Sequence, residues 1–162
     1  RIDEIKDVKL GKIADKPKLF KHYEHIDTIN QSLKGGKHAV TGVPFRKQKI
    51  KLSDGRRVKG VFPKFDYAYE CKLPQNMLKE TDAKQFAKCN EQLKKAIEKN
   101  PSLADKFTER QLEQIKNGDK ISGFTWHHNE KEGIMQLVDS EVHNATNHTG
   151  GRNIWGGGTS AR

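Results

Sequence analysis

Residues 125–155 read TWHHNEKEGIMQLVDSEVHNATNHTGGRNIW, and this stretch contains four of the seven histidines of the chain. The aromatic and β-branched residues at 123–128 are typical of a strand, and the polar segment after them ends in glycine, as a hairpin loop does. Residues 134–138 then supply an apolar return strand. The sequence therefore predicts a β-hairpin with two adjacent histidines, His127 and His128, on its first strand.

A short helix is predicted directly after the hairpin. Asp139 or Ser140 is suited to the N-cap and Glu141 to the first turn, where a carboxylate interacts favourably with the helix dipole. We expect the helix to carry His143, to run towards His148 and to stop at the glycine pair that follows. Because five residues is an awkward helical spacing, His148 is expected at the frayed helix end or in a different role from His143.

The two adjacent histidines are expected to have different tasks, because successive side chains of a strand point to opposite faces. One can bind a metal ion while its neighbour contacts an attacking water, and a histidine of the helix can return over the hairpin. An imidazole with its ordinary pKa of about 6.5 is suited to taking up a proton at neutral pH. The spacing is what a hairpin-plus-helix metal site requires.

The segment resembles the HNH/endonuclease VII superfamily, specifically the subgroup named for its Trp-His-His motif, here residues 126–128. The resemblance extends upstream through HAVTGVPF at 38–45 and GVFP at 60–63, and it continues through short matches to about residue 158, three quarters of the chain. The middle asparagine of HNH enzymes has no obvious counterpart, and Gln136 and Asn144 are its nearest candidates. Members of this subgroup are C-terminal toxin domains of secreted bacterial polymorphic toxins.

This resemblance implies an α+β domain with a C-terminal ββα-metal (His-Me finger) nuclease motif. It implies that His128 is the general base, that His127 and His143 hold one divalent metal ion, and that His127 thereby belongs to the catalytic centre. His148 would be a third ligand or a phosphate contact, and Trp126 would pack beneath the hairpin and fix its angle. Imidazole ligands suit several ions, so Mg, Mn, Ni and Zn all remain open.

Positive charge is concentrated in the first part of the chain. Residues 1–60 hold 16 of the 31 Lys and Arg residues but 7 of the 21 Asp and Glu residues, and the chain carries a net charge of +10. Alternation at 48–52, a Ser-Asp-Gly turn and alternation at 58–62 predict a β-hairpin with a basic face. Such a face can grip backbone phosphates without reading bases. The residues that we expect to contact substrate are Arg46, Lys47, Arg56, Arg57 and, near the histidines, Arg152.

Other readings of these basic residues remain open. A solvated hairpin surface explains the basic alternation equally well, and Arg152 can contact the carboxyl end of a helix instead of phosphate. Cys71 and Cys89 fit no metal-ligand spacing and are expected to be free buried thiols, with a disulfide as the alternative.

The length of 162 residues fits one domain or one domain with an appendage. We divide the chain into a basic appendage or linker at 1–37 and a nuclease toxin domain at 38–162. The chain shows no signal peptide, which indicates a fragment of a longer protein, and no apolar run is long enough to span a membrane. Between the two ends, a strand is predicted at 65–73, a helix at 82–99 and a short helix opened by a capping box at Thr108.

These features favour a metal-dependent endonuclease toxin that hydrolyses phosphodiester bonds, most readily those of DNA. It would be a secreted bacterial effector that acts in the cytoplasm of a competing cell. A dedicated inhibitor is implied, and the basic toxin surface predicts that this immunity protein is acidic. The alternatives are an RNase and a non-catalytic nucleic-acid-binding module in which the histidines hold a structural zinc ion.

Overall fold

The computed structural model describes residues 22–162. The strands are β1 Glu24–His25, β2 Phe45–Lys51, β3 Arg57–Pro63, β4 Tyr69–Lys72, β5 Phe124–His128 and β6 Ile134–Asp139. The α-helices are α1 Asp82–Lys99, α2 Glu109–Asn117 and α3 Ser140–Ala145, and short 3-10 helices lie between them. The predicted α+β class is confirmed.

One sheet has the strand order β1-β3-β2 and contains the predicted basic hairpin. β2 and β3 pair antiparallel from Phe45 opposite Pro63 to Lys51 opposite Arg57, and Gly55 supplies the positive φ of 95° in the turn. β1 joins parallel to β3. The predicted division between residues 37 and 38 stays a prediction, and residues 1–21 of the appendage lie outside the described part of the chain.

The second sheet has the order β4-β6-β5 and contains the histidine hairpin. His127 pairs with Gln136 and His128 with Met135, so the predicted hairpin is confirmed. The strand predicted at 65–73 is shorter, since only Tyr69–Lys72 pairs with β6. The prediction failed at Phe65, because its buried ring packs against the histidine rings instead of continuing the sheet.

Helix α1 packs across the second sheet and has the predicted bounds. The Thr81 hydroxyl oxygen caps its start by accepting a hydrogen bond from the Lys84 N–H. Its apolar face includes Cys89 and Leu93, which are fully buried in the main core with Trp126. The capping box at the start of α2 is also confirmed, with Gln111 as the reciprocal partner of Thr108.

The two cysteines are free and buried, as predicted. A hydrogen bond with Cys71, reinforced by burial, raises the pKa of Cys89 above its ordinary range. Among the helices of the described residues, none combines the length and the hydrophobicity that crossing a membrane requires.

Candidate metal centre and its surroundings

Three histidines from separate segments converge beside the hairpin, near the end of β5 that leads into the turn. His127 comes from β5, His143 from α3 and His148 from the loop after α3, and their ring nitrogens lie within 4.8 Å of one another. The Phe65 ring packs against all three imidazoles, with centroid distances of 4.8, 5.4 and 5.1 Å respectively. The sequence predicted that these histidines act together, and the fold brings them together.

The hydrogen bonds of the three rings stay within the cluster and its own loop. His127 Nδ1 lies 3.3 Å from His143 Nε2. His148 Nδ1 lies 2.7 Å from the Thr146 carbonyl oxygen; this nitrogen must carry the proton, because the carbonyl can only accept. His127 Nε2 is fully buried with no hydrogen-bond partner among the described residues. A buried imidazole nitrogen without a partner is costly unless it binds something, so the donor set fits a divalent metal ion.

Burial keeps these imidazoles uncharged at neutral pH. Desolvation, with smaller contributions from the neighbouring histidines, holds the pKa of His127 well below its ordinary value. Burial and then His148 lower the pKa of His143 to about 4. The pKa of His148 is also lowered by burial, against the opposing effect of its bond to Thr146. Neutral imidazole is the form that binds metal ions.

Helix α3 is shorter than predicted. Asp139 is the N-cap and accepts from the Val142 N–H at 3.0 Å, but the helix ends at Ala145, so His148 lies in a loop. The Thr146 hydroxyl bonds the Val142 carbonyl at 2.8 Å, which takes the acceptor that the next helical N–H would use. This explains how His148 reaches the cluster despite a spacing that does not suit a helix.

The glycines after His148 have a different task from the predicted helix stop. A Cβ on Gly151 would overlap the Asn129 carbonyl oxygen and the indole of Trp155. The same indole donates to that carbonyl at 2.8 Å. Glycine is needed here because the loop backbone runs directly over the hairpin turn.

His128 lies on the other face of β5, as strand alternation predicts. Its Nε2 is 2.7 Å from Gln85 Oε1 on α1 and 3.7 Å from Asp82 Oδ1. Its ring packs against Phe86 and Trp155. Burial and the nearby Arg152 charge lower the pKa of His128 to about 4. It is therefore an uncharged imidazole that can accept a proton at neutral pH.

Arg152 is 2% exposed and its guanidinium faces protein groups. It donates to the carbonyl oxygens of Glu80 and Gly156 at 3.0 and 2.7 Å, and to the side chains of Asp82 and Gln85. This geometry favours a role in holding the C-terminal loop to the start of α1 over the predicted phosphate contact.

The region with this histidine arrangement matches a known family. Residues 54–150, more than half of the chain, match the family described as the DNase/tRNase domain of colicin-like bacteriocin. The matched region includes all four histidines of the hairpin, helix α3 and the loop after it. The chain belongs to this family. No curated protein and no solved structure gives a significant match, so the narrower Trp-His-His subgroup stays a prediction.

In this colicin-like nuclease domain, the basic hairpin divides its charges between two faces. The register places Lys47, Lys49, Lys51, Arg57 and Lys59 on one face, with Lys49 opposite Lys59 and Lys51 opposite Arg57. We call these five residues the basic face. Like charges directly opposite each other destabilise a sheet. Lys49 and Arg57 also lie 5.4 and 5.8 Å from the Tyr23 ring centroid.

The other two predicted hairpin contacts point elsewhere. Arg46 lies on the opposite side of β2 from the basic face. Arg56 bonds Asp54 at 2.8 Å and the Ile154 carbonyl at 3.1 Å, so it links the hairpin turn to the C-terminal loop. The structure therefore groups Lys47 and Arg57 with three lysines and separates Arg46 and Arg56 from them.

Two residues of the nuclease domain complete the surroundings of the hairpin. Trp126 is buried beneath it and donates from Nε1 to Asn90 Oδ1 at 2.8 Å, a position that suits its predicted packing role. Gln85 touches both His128 and Arg152, yet sequence reasoning assigned it no function. Its sequence signal is that Gln85-Phe86 is one of the short matches of the Trp-His-His resemblance, four positions before the apolar Cys89.

Proposed function

We propose that this domain is a metal-dependent endonuclease that hydrolyses phosphodiester bonds in the DNA of a competing bacterial cell. The observation that supports it most is the convergence of His127, His143 and His148 as uncharged imidazoles, with a buried nitrogen of His127 that has no partner among residues 22–162. In this proposal these three residues hold one divalent metal ion. The hairpin β5–β6 and helix α3 then form the ββα-metal motif that the Trp-His-His resemblance implies.

His128 is the general base in this proposal. Its imidazole is uncharged at neutral pH and lies beside His127, on the adjacent position of the same strand. It takes a proton from water while the water oxygen attacks phosphorus in line and the bond from phosphorus to the 3′-oxygen breaks. A divalent ion bound by the three histidines would supply Lewis-acid stabilisation of the charge on the phosphate and the leaving oxygen.

The basic face supports a nucleic-acid substrate held through its backbone. An open groove runs from this face to the β5–β6 turn, and its charged lining consists of Lys49, Lys51, Lys72 and Lys131 with one carboxylate, Glu132. Cations in a groove neutralise phosphates in succession and give sequence-independent affinity. The family description includes both DNases and tRNases. The assay that tests DNA as the substrate must therefore also include RNA as a second substrate.

We infer two further properties from the family and the charge. Colicin-like bacteriocins are toxins, so the domain is proposed to be secreted and to act in the cytoplasm of the target cell. A producer of such a nuclease needs a dedicated inhibitor. The net charge of +10 favours an acidic immunity protein, since complementary potentials accelerate and orient association.

The test is cleavage of supercoiled plasmid and of tRNA by the metal-stripped chain, with Mg²⁺, Mn²⁺, Ni²⁺ or Zn²⁺ added back. His128→Ala is the inactive variant, and His25→Ala is the matched control, because His25 is exposed and lies outside the cluster. We expect metal-dependent nicking of plasmid that His128→Ala abolishes without loss of DNA affinity. Cleavage of tRNA alone would replace the DNase with an RNase. Binding without cleavage of either substrate would contradict the proposed catalytic role.

A further inference from the structure

Gln85 lies on α1, 43 positions before His128, and its side chain is fully buried. Its amide nitrogen donates to the carbonyl oxygens of Met77 and Leu78, both at 2.9 Å. An amide nitrogen has two protons, and both are used here. The two carbonyls therefore fix the orientation of the amide.

The amide oxygen of Gln85 faces two nitrogens. It lies 2.7 Å from His128 Nε2 and 2.8 Å from Arg152 Nη2. A flipped amide would direct its protons at the arginine protons and its oxygen at two carbonyl oxygens, so the opposite orientation is excluded. A carbonyl oxygen can only accept, and His128 Nε2 must therefore carry the imidazole proton.

The lone pair of His128 is then on Nδ1. This atom makes no hydrogen bond to the described residues, and unlike His127 Nε2 it is not fully buried. Asp82 does not compete for the Nε2 proton, since its nearest oxygen lies 3.7 Å away, beyond hydrogen-bonding distance. Asp82 instead pairs with Arg152, which in turn holds the Gln85 oxygen from the other side.

We propose that Gln85 is a positioning residue that holds His128 in the Nε2–H tautomer and leaves Nδ1 as the atom that accepts the proton from water. The inference rests on the proposed role of His128 for its effect on the reaction. The tautomer itself is independent of activity. Partners that orient a metal-binding histidine change affinity or activity by about 10- to 100-fold when they are removed, and we expect an effect of that order for the imidazole of His128.

The first measurement is the tautomeric state of His128 in the metal-free wild-type chain. Long-range proton–nitrogen NMR spectra of protein labelled with ¹⁵N-histidine, recorded at neutral pH, separate the two tautomers by their nitrogen shifts. His128→Ala assigns the signals. We expect the Nε2–H form. An Nδ1–H form, or a mixture of the two, would overturn the proposal, and a chain without nuclease activity still gives this result.

The second measurement compares Gln85→Leu with Gln85→Glu. Leucine removes the acceptor, so we expect a mixture of tautomers and a loss in kcat of about 10- to 100-fold with unchanged KM. Glutamate keeps an acceptor towards His128 and Arg152, so it should preserve the Nε2–H form and more of kcat than leucine. Its second oxygen faces the Met77 and Leu78 carbonyls, so we also expect a lower free energy of unfolding than in the wild type. Gln92→Leu is the matched control, because Gln92 lies on the same helix and its side chain bonds, within the described part of the chain, only to the Lys72 carbonyl. Should Gln85→Leu fail to fold, the wild-type and Gln85→Glu spectra decide the question. A folded Gln85→Leu variant with wild-type tautomer and kcat would refute the positioning role.

Discussion

The hydroxyl oxygens of Thr146 and Thr41 lie 2.8 Å apart, although 105 positions separate the two residues. The Thr146 hydroxyl also lies 2.8 Å from the Val142 carbonyl. A hydroxyl has one proton, so Thr146 donates to this carbonyl and Thr41 donates to Thr146. The segment before the family match thereby holds the loop that carries His148.

Two more bonds strengthen this attachment. Asn30 Nδ2 donates to the Asn147 carbonyl at 2.7 Å, and the Ile29 N–H donates to the Thr149 hydroxyl at 3.0 Å. Residues on both sides of His148 are therefore fixed by residues 29–41. The position of the third imidazole depends on a part of the chain that the family match does not include.

Thr41→Val should weaken metal binding without unfolding the domain. Valine has the same shape but cannot donate to Thr146, so the loop with His148 gains freedom. Loss of a residue that orients a metal ligand costs about 10- to 100-fold in affinity, and we expect a change towards the lower end. Titration calorimetry with Zn²⁺ or Ni²⁺ measures it, with exposed Thr159→Val as the control. Equal dissociation constants for the two variants would contradict the role of Thr41.

His127→Ala should weaken metal binding more than Thr41→Val does. This substitution removes an imidazole of the cluster itself, so the dissociation constant should rise by more than about 100-fold, beyond the range for supporting residues. His25→Ala is the control, since His25 is exposed and lies outside the cluster. Equilibrium dialysis against a chelator series gives both constants. Retained affinity in His127→Ala would remove this residue from the proposed ligand set.

The sequence contained enough information to predict the hairpin and the separation of its two histidines. Alternation along β5 alone places His127 and His128 on opposite faces, and local capping signals defined α1 and α2. The path of the loop at 146–149 was not predictable, because it depends on contacts with Thr41 and Asn30 far away in the sequence. The same is true of Gln85, whose function depends on its position opposite His128 rather than on any local motif.

Metal-free protein should lose stability as the pH falls from neutral. The folded-state pKa of His128 and of His143 is lowered to about 4 from an ordinary 6.5. The unfolded chain therefore binds protons first, and stability that is fully present above pH 6.5 is lost as the pH falls towards 4. At pH 5 the free energy of unfolding should be lower by up to about 2 kcal/mol for each group.

Urea unfolding at pH 7.5 and at pH 5 measures this loss. His143→Gln has no group that titrates at this position, so its stability should depend less steeply on pH than that of the wild type. If the free energy of unfolding falls by the same amount between pH 7.5 and pH 5 in both chains, the pKa of His143 is not lowered in the folded state.

Arg152→Ala distinguishes a structural role from a phosphate contact. Removing the guanidinium leaves two carbonyl oxygens and Gln85 Oε1 with fewer donors, and Asp82 without its cation. We expect the free energy of unfolding to fall by about 3 kcal/mol, the lower end for a buried pair, because Asp82 is exposed enough to rehydrate. Chemical denaturation measures the change. A fully stable variant with weaker DNA binding would restore the predicted phosphate contact.

Lys49→Gln should weaken DNA binding while leaving the hairpin at least as stable. Lys49 lies directly opposite Lys59, so removing its charge relieves a repulsion between neighbouring strands. If its ammonium neutralises one phosphate, the slope of log affinity against log salt should become less negative by about 1. Fluorescence anisotropy with a duplex, in a His128→Ala background that prevents cleavage, measures the slope between low and physiological salt.

Lys99→Gln at the far end of α1 is the control for net charge, because it removes one positive charge at a distance from the basic face. A shift in slope of the same size in both variants would mean that DNA responds to the total charge of the domain. A shift confined to Lys49→Gln would locate the phosphate path on the basic face.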